Sequence, residues 1–366
     1  MARRGPLDLV EGYYLSLVIH FLHRSGILAA LRKTATVADI ASAFNCDEAL
    51  LSALMQFAHQ RTDIFRIDAK GKYSVSPRYG AYSQLEFHLD KFIGAYGPAF
   101  ARLDESLRGH ALGESYVDAN RLADAYSGLD FGGASLVGQL IREWNVANLL
   151  DLGCGPGRLL MELAQSDPCF EGWGMDSNPA MCALARRRLE ASELSARVRV
   201  LQGDVRKIDL RTEPALGAVE AVHAGSLLNQ FFGSGDDGAI ALIRNLKNLF
   251  PGRLLFVSDY YGKLTRMRRV PTRYRHAVLQ DVAQAISGQG VPPGDRTGWF
   301  AVYEAAGCGL VQAYEGDATG IAWFVHVVRL QGISPKQQPL NQAQPHARKA
   351  RVHAKQLTQL GEPPTC

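Results

Sequence analysis

The run Asn148-Leu-Leu-Asp-Leu-Gly-Cys-Gly-Pro-Gly-Arg joins an apolar strand to a helix through three alternating glycines, Gly153, Gly155 and Gly157. Without a Cβ, such a turn can bend sharply and let a ligand approach the backbone. At the carboxyl end of a strand it lies where open α/β sheets bind ligands. Two phosphate-binding patterns are excluded. GxGxxG would need glycine at Arg158 or at Leu160, and GxxxxGK[ST] is missing. Three acidic residues follow a regular order. Asp151 sits just before the turn, Asp176 ends a second strand, and Asp204 follows a third strand in Gln202-Gly-Asp-Val205. Asp151 suits a nearby positive charge. Asp176 can accept a pair of ribose hydroxyls, and Asp204 an amino group on a ring against which Val205 packs.

In that order, residues 148–205 resemble motifs I to III of class I S-adenosylmethionine-dependent methyltransferases. The chain as a whole, over about residues 10–330, is similar to the winged-helix small-molecule O-methyltransferases. The resemblance implies S-adenosylmethionine as cofactor, held by Asp151, Gly153, Gly155, Gly157, Asp176, Asp204 and Val205. It also implies a homodimer formed through the N-terminal half, which closes over the acceptor. In the family a histidine on the segment after the fourth strand deprotonates the acceptor hydroxyl. The corresponding stretch is Leu227-Leu-Asn229-Gln-Phe231, which places Asn229 at the base position.

An amide cannot take up a proton near neutrality. Three readings stay open: another base, with His223 and His276 as candidates; an acceptor that needs none, such as a thioether sulfur, an amine or an activated carbon; or a binding protein that has lost the reaction. The second is favoured, because alignment supplies much of the catalysis of an in-line displacement. After the fifth strand come Tyr260, Tyr261 and a basic run, Arg266, Arg268, Arg269, Arg273, Arg275 and His276. An arginine there can clamp a carboxylate, as in a methylthio hydroxy acid. The candidate catalytic residues are therefore His276, His223 and Asn229. The candidate acceptor-binding residues are Tyr96, Asn229, Tyr260, Arg273 and His276.

The elements that must position these groups fall into two styles. Residues 1–85 read as three helices and a hairpin, a winged-helix-like dimerisation domain. Residues 86–143 read as a helical linker contributing to the acceptor pocket, with breaks at Gly94, Gly97-Pro98 and Gly132-Gly133. From 144 to 332, strands at 149–152, 172–175, 198–202, 218–222, 253–257, 311–314 and 322–328 alternate with helices. That alternation predicts a doubly wound, Rossmann-like α/β domain with a parallel sheet. The tail 333–366, rich in Gln, Pro and Ala, is expected to be disordered.

Composition narrows the partners. The chain has 366 residues, 47% of them hydrophobic, and a formal charge of +4. The tail from Gln331 carries five basic residues against Glu362, so the rest is balanced and gives no steering toward phosphate. A winged-helix DNA reader with a vestigial cofactor domain is the alternative. The candidate recognition helix, residues 48–59, has no Lys or Arg, which counts against it. The expected partner is a small-molecule acceptor, with no nucleic acid and no membrane. The six cysteines lack metal-ligand spacing, so no metal is expected and reduced thiols are. With no leader segment at the N-terminus, a cytoplasmic protein is expected.

Overall fold

The computed structural model describes residues 5–78, 83–127, 135–264, 270–318 and 321–331. The expectations for Gly132-Gly133, for Arg266, Arg268 and Arg269, and for the tail 333–366 lie outside the described residues. The chain divides into two compact units, Met1–Gly132 with Val282–Gln289, and Gly133–Asp281 with Gly290–Cys366.

The first unit begins with α1 (Pro6–Arg24), the single turn α2 (Ile27–Ala30), α3 (Val37–Phe44) and α4 (Glu48–Arg61). An antiparallel hairpin of β1 (Phe65–Ile67) and β2 (Tyr73–Val75) follows. Thr36 starts α3 by accepting the Asp39 N–H at 3.1 Å, and the Asp39 carboxylate returns the bond to the Thr36 N–H at 3.0 Å. This reciprocal pair satisfies two of the amides every helix start leaves unpaired. Leu22, Ile27, Leu31, Met55 and Ala58 are fully buried between the helices. Beyond lie α5 (Ser83–His88), α6 (Gly97–Ala101), α7 (Leu103–Arg108) and α8 (Ala119–Ser127). Gly94 does not break the chain as expected. It lies inside a π-helical stretch, Leu89–Ala95, where a Cβ would come within 3.2 Å of His20 Nε2. The close approach of α1 explains the glycine. His20 and His23 of α1 both bond the Asp90 carboxylate, at 3.0 and 3.1 Å.

The second unit contains α9 (Leu136–Glu143), β3 (Asn148–Leu152), α10 (Arg158–Ser166), β4 (Glu171–Asp176), α11 (Pro179–Ala191), β5 (Val198–Gln202), β6 (Ala221–Gly225) and the short β7 (Gly233–Asp236). Then come α12 (Asp237–Leu249), β8 (Leu254–Tyr260), α13 (Arg275–Ile286), whose end from Val282 belongs to the first unit, α14 (Arg296–Ala305), β9 (Gly309–Ala318) and β10 (Ile321–Arg329). Seven strands form one sheet in the order β5-β4-β3-β6-β8-β10-β9. The first five are parallel, whereas β10 runs antiparallel to β8 and to β9. This corrects the expectation of a wholly parallel sheet. Two residues separate Ala318 from Ile321, and a parallel pairing needs a crossover of a dozen or more. The fourth strand spans Ala221–Gly225 rather than 218–222, because Pro214–Ala218 closes a 3-10 turn first.

Side chains of β3 alternate between two cores. Leu150 and Leu152 join Val222, Leu255 and Val257 on one face, while Leu149 joins Leu160, Ala221 and Phe256 on the other. Asp151 and His223 fall on the Leu149 face by the same alternation. The sheet therefore carries two polar groups where its second core reaches the carboxyl edge. No helix among the described residues is long and apolar enough to cross a membrane.

Candidate functional site

The glycine turn is built as its spacing implies. Gly153, Gly155 and Gly157 have φ of 64°, 52° and 75°, a region closed to most side chains. The Gly153 and Cys154 N–H groups donate to the Met175 carbonyl at 2.8 and 3.2 Å. The Gly155 N–H donates to Asp176 Oδ2 at 2.9 Å, and the Asn178 N–H to Oδ1 at 2.8 Å. Asp176 thus fastens the turn to the start of α11. Each of its oxygens holds one of these backbone donors and has acceptor capacity left. Burial raises its carboxyl above the ordinary range, and the backbone donors oppose that rise. A Cβ built on Gly155 meets nothing within 4 Å, whereas one on Gly153 would press on Leu227 at 3.0 Å. The turn therefore faces open space at its middle and packed protein at its first glycine. Cys154 is buried, and that burial pushes its thiol well up, so it is no nucleophile.

Asp204 stands at the end of β5 as the N-cap of a 3-10 turn. Its carboxylate is forked by Arg206, with Nε at 2.8 Å and Nη2 at 2.8 Å from separate oxygens. The guanidinium holds Asp204 below the usual carboxylate range. A ring amino group bound here has to share or displace this exposed arginine. Val205 is buried in the same core as Met175.

The polar groups on the Leu149 face make a chain across three strands. His223 Nδ1 lies 2.6 Å from Asp151 Oδ1, and His223 Nε2 lies 2.8 Å from Ser258 Oγ. Asp151 is 3% and His223 5% exposed. Both imidazole nitrogens are thus engaged inside the sheet.

Asn229 is buried in the turn Leu228–Phe231, where its backbone N–H donates to Asp259 Oδ2 at 3.1 Å. The Tyr260 N–H donates to Asp259 Oδ1 at 2.9 Å. Asp259 is buried, which pushes its carboxyl up to about 7 against those donors. Tyr260 is buried too, and its hydroxyl donates to Asp281 Oδ1 at 2.8 Å. The other Asp281 oxygen accepts the Lys263 and Leu264 N–H groups at 2.6 and 2.8 Å. Arg273 is exposed, with its guanidinium 4.9 Å from the Tyr274 ring centre, and His276 is half-buried on α13. Tyr96 is buried in the first unit beside Ala95 and Ala283, which pushes its phenol up.

Asp259, Asp281 and Ser258 had no role in the sequence reading. They are assembled by strand register and by one helix, and no local motif marks them. Arg186 ties α11 to β5 by donating to the Val200 carbonyl at 2.9 Å. Cys46, Cys154, Cys182 and Cys308 are free thiols.

Residues 149–240 match the family model described as a methyltransferase domain, a span from β3 into α12. No curated protein matches the chain significantly. Solved structures do. The mitomycin 7-O-methyltransferase MmcR superposes with a TM-score of 0.68 at 17% identity, covering 88% of this chain and 96% of that one. The chain has the class I methyltransferase fold. A putative O-methyltransferase from Nostoc punctiforme gives 0.67 at 16% identity, over 89% of this chain and 100% of its own. The O-methyltransferase NcsB1 from neocarzinostatin biosynthesis, solved with S-adenosylmethionine and 2-hydroxy-5-methyl naphthoic acid, gives 0.63 at 16%, over 91% and 100%. The N-terminal helical unit is covered by these superpositions along with the sheet.

Proposed function

We propose that this chain transfers a methyl group from S-adenosylmethionine to a small-molecule acceptor. The observation that carries the reading is the glycine turn clamped to Asp176 with open space over Gly155. The methyltransferase-domain match on the same residues and the cofactor bound in NcsB1 support it. When bound, S-adenosylmethionine supplies an electrophilic methyl. Asp176 would take the ribose hydroxyls, Asp204 the adenine amino group, and the turn the amino-acid end. Holding the reactants in line is the protein's main contribution to such a displacement.

For the acceptor, the favoured reading is an atom that needs no imidazole base: a thioether sulfur, an amine or a carbon. Asn229 occupies the base position and is buried against Asp259, and His223 has both nitrogens engaged. Exposed Arg273 and half-buried His276 are of the types that suit an acceptor carboxylate. A second reading, an O-methyltransferase with another base such as His276, is favoured by neighbours such as MmcR and NcsB1, which are named as O-methyltransferases. Calorimetry with S-adenosylhomocysteine tests the cofactor. A panel of hydroxyl, amine and thioether acceptors with S-adenosylhomocysteine release as readout tests the acceptor. Absence of binding in the first removes the main reading. Turnover confined to phenols, lost in His276→Ala, replaces the favoured acceptor by the second.

We infer further that the chain forms a homodimer through α1. Leu7, Val10, Tyr14, Leu17 and Phe21 are all exposed and recur at alternating steps of three and four. That is the spacing of a seam between two helices, and a seam of one repeat is self-complementary about a two-fold axis. Leu17→Glu is expected to yield monomer in light scattering; a wild-type protein that is already monomeric removes this inference.

A further inference from the structure

The strand order reverses between β3 and β6, since β4 and β5 build away on one side and β8 on the other. In open α/β sheets the ligand crevice lies outside the carboxyl ends of such a pair. The Asp151–His223 bond spans this pair: Asp151 and His223 are register partners on β3 and β6. The chain of groups then steps outward to Ser258, which is only half-buried near the end of β8.

The ring has a slot built for it. A Cβ on Gly225 would fall 2.6 Å from His223 Cε1 and 3.1 Å from Ser258 Oγ. Any larger residue at 225 would push the imidazole out of line. The rim is continuous with the glycine turn. The Ser258 carbonyl accepts the Ser226 N–H at 2.8 Å, and the next residue, Leu227, packs on Gly153. Ser226 itself is held at a left-handed φ of 48°, a strained conformation typical of rims that serve a ligand.

We propose that Asp151, His223 and Ser258 act as one unit that presents Ser258 Oγ to the ammonium group of an amino-acid ligand in this crevice, with His223 as positioning residue. The inference rests on the cofactor reading above and names the part of that ligand the relay recognises. With Nδ1–H donated to Asp151, Nε2 accepts the Ser258 hydroxyl proton. The Ser258 oxygen lone pairs are then left pointing away from His223. Hydrogen bonds that polarise one another in series strengthen, so the negative charge of Asp151 is felt at Oγ. Asp151 thus acts on the ligand's ammonium through two intermediates.

Two nucleosides test this by calorimetry. S-adenosylhomocysteine has the amino-acid end. Methylthioadenosine has the same adenine, ribose and thioether but lacks that end. Ser258→Ala and His223→Gln are expected to weaken S-adenosylhomocysteine roughly ten- to a hundredfold, the range for a hydrogen bond to a charged group, and to leave methylthioadenosine unchanged. Ser258→Thr, which keeps the hydroxyl, is expected to retain wild-type affinity for both. Equal weakening of both nucleosides, or of neither, overturns the relay and leaves the cofactor reading standing. If the wild type binds neither nucleoside, the cofactor reading itself falls.

Discussion

Asp176 and Asp281 are both carboxylates that hold backbone N–H groups, and they differ in what they leave over. Asp176 binds Gly155 and Asn178, one on each oxygen, at an incompletely buried rim. Asp281 has no exposure, and its oxygens carry three donors, one from Tyr260 at the end of β8 and two from the segment that follows. Asp176 therefore shapes a turn and can still accept from a ligand. Asp281 spends its capacity on fixing the path of Tyr260 to Leu264. The edge at the glycine turn is made from backbone with spare acceptors, and the neighbouring edge from sealed side chains. A substitution should cost binding at the first and stability at the second.

The largest effect is expected from Asp281→Ala. It strands the Tyr260 hydroxyl and two amides, at about 3–5 kcal/mol, readable as a lowered urea midpoint. An unchanged midpoint would mean that water replaces the carboxylate. Gly155→Val should do the reverse. Its Cβ meets no protein atom, so the stability loss is about 1–2 kcal/mol for the left-handed conformation, yet calorimetric binding of S-adenosylhomocysteine should vanish. Retained binding would show that the ligand lies elsewhere.

The pH dependence sharpens the contrast between two sealed groups. Asp259 has its carboxyl pushed up to about 7 from 3.8, so its share of stability is complete below 3.8 and is lost as pH rises to 7. His326 is stacked on Phe324 at 3.9 Å between the Tyr261 and Tyr303 hydroxyls. Burial lowers it from 6.5 to about 3, so its share is complete above 6.5 and is lost as pH falls to 3. Each amounts to roughly 4 kcal/mol, and between 3.8 and 6.5 the slopes oppose. Denaturation midpoints of the wild type should be nearly flat there. Asp259→Asn should become more stable with rising pH, and His326→Phe less. Parallel slopes in the two variants would refute the pairing. The smallest effect belongs to Arg206→Ala. Its exposed fork on Asp204 is worth at most about 1 kcal/mol, while adenosine binding should tighten if the guanidinium competes for that carboxylate.

What could be read from residues alone follows the same division. The glycine turn, Asp176 and Asp204 each occupy a few consecutive positions, so strand ends and loop chemistry reveal them. The Asp151–His223–Ser258 chain joins residues 72 and 35 positions apart, and only the register of β3, β6 and β8 brings them together. His223 was recognisable as a chemically able residue, but its partners were not. The antiparallel end of the sheet was legible in principle from the short stretch 315–321 between the last two expected strands, too short for a parallel crossover. Reading the apolar alternation as a uniformly parallel pattern hid it.

The path of the chain between its units carries a practical consequence. It passes from one to the other three times, at Gly132, Asp281 and Gln289. A fragment ending at Gly132 would lack Ala283, which packs with Ala95 and Tyr96, and the complementary fragment would expose the fully buried Ala283 and Ser287. Grafting the first unit onto a relative's sheet therefore takes three splices, one of them inside α13. A shuffled library cut at a single point between the units is expected to give insoluble chains.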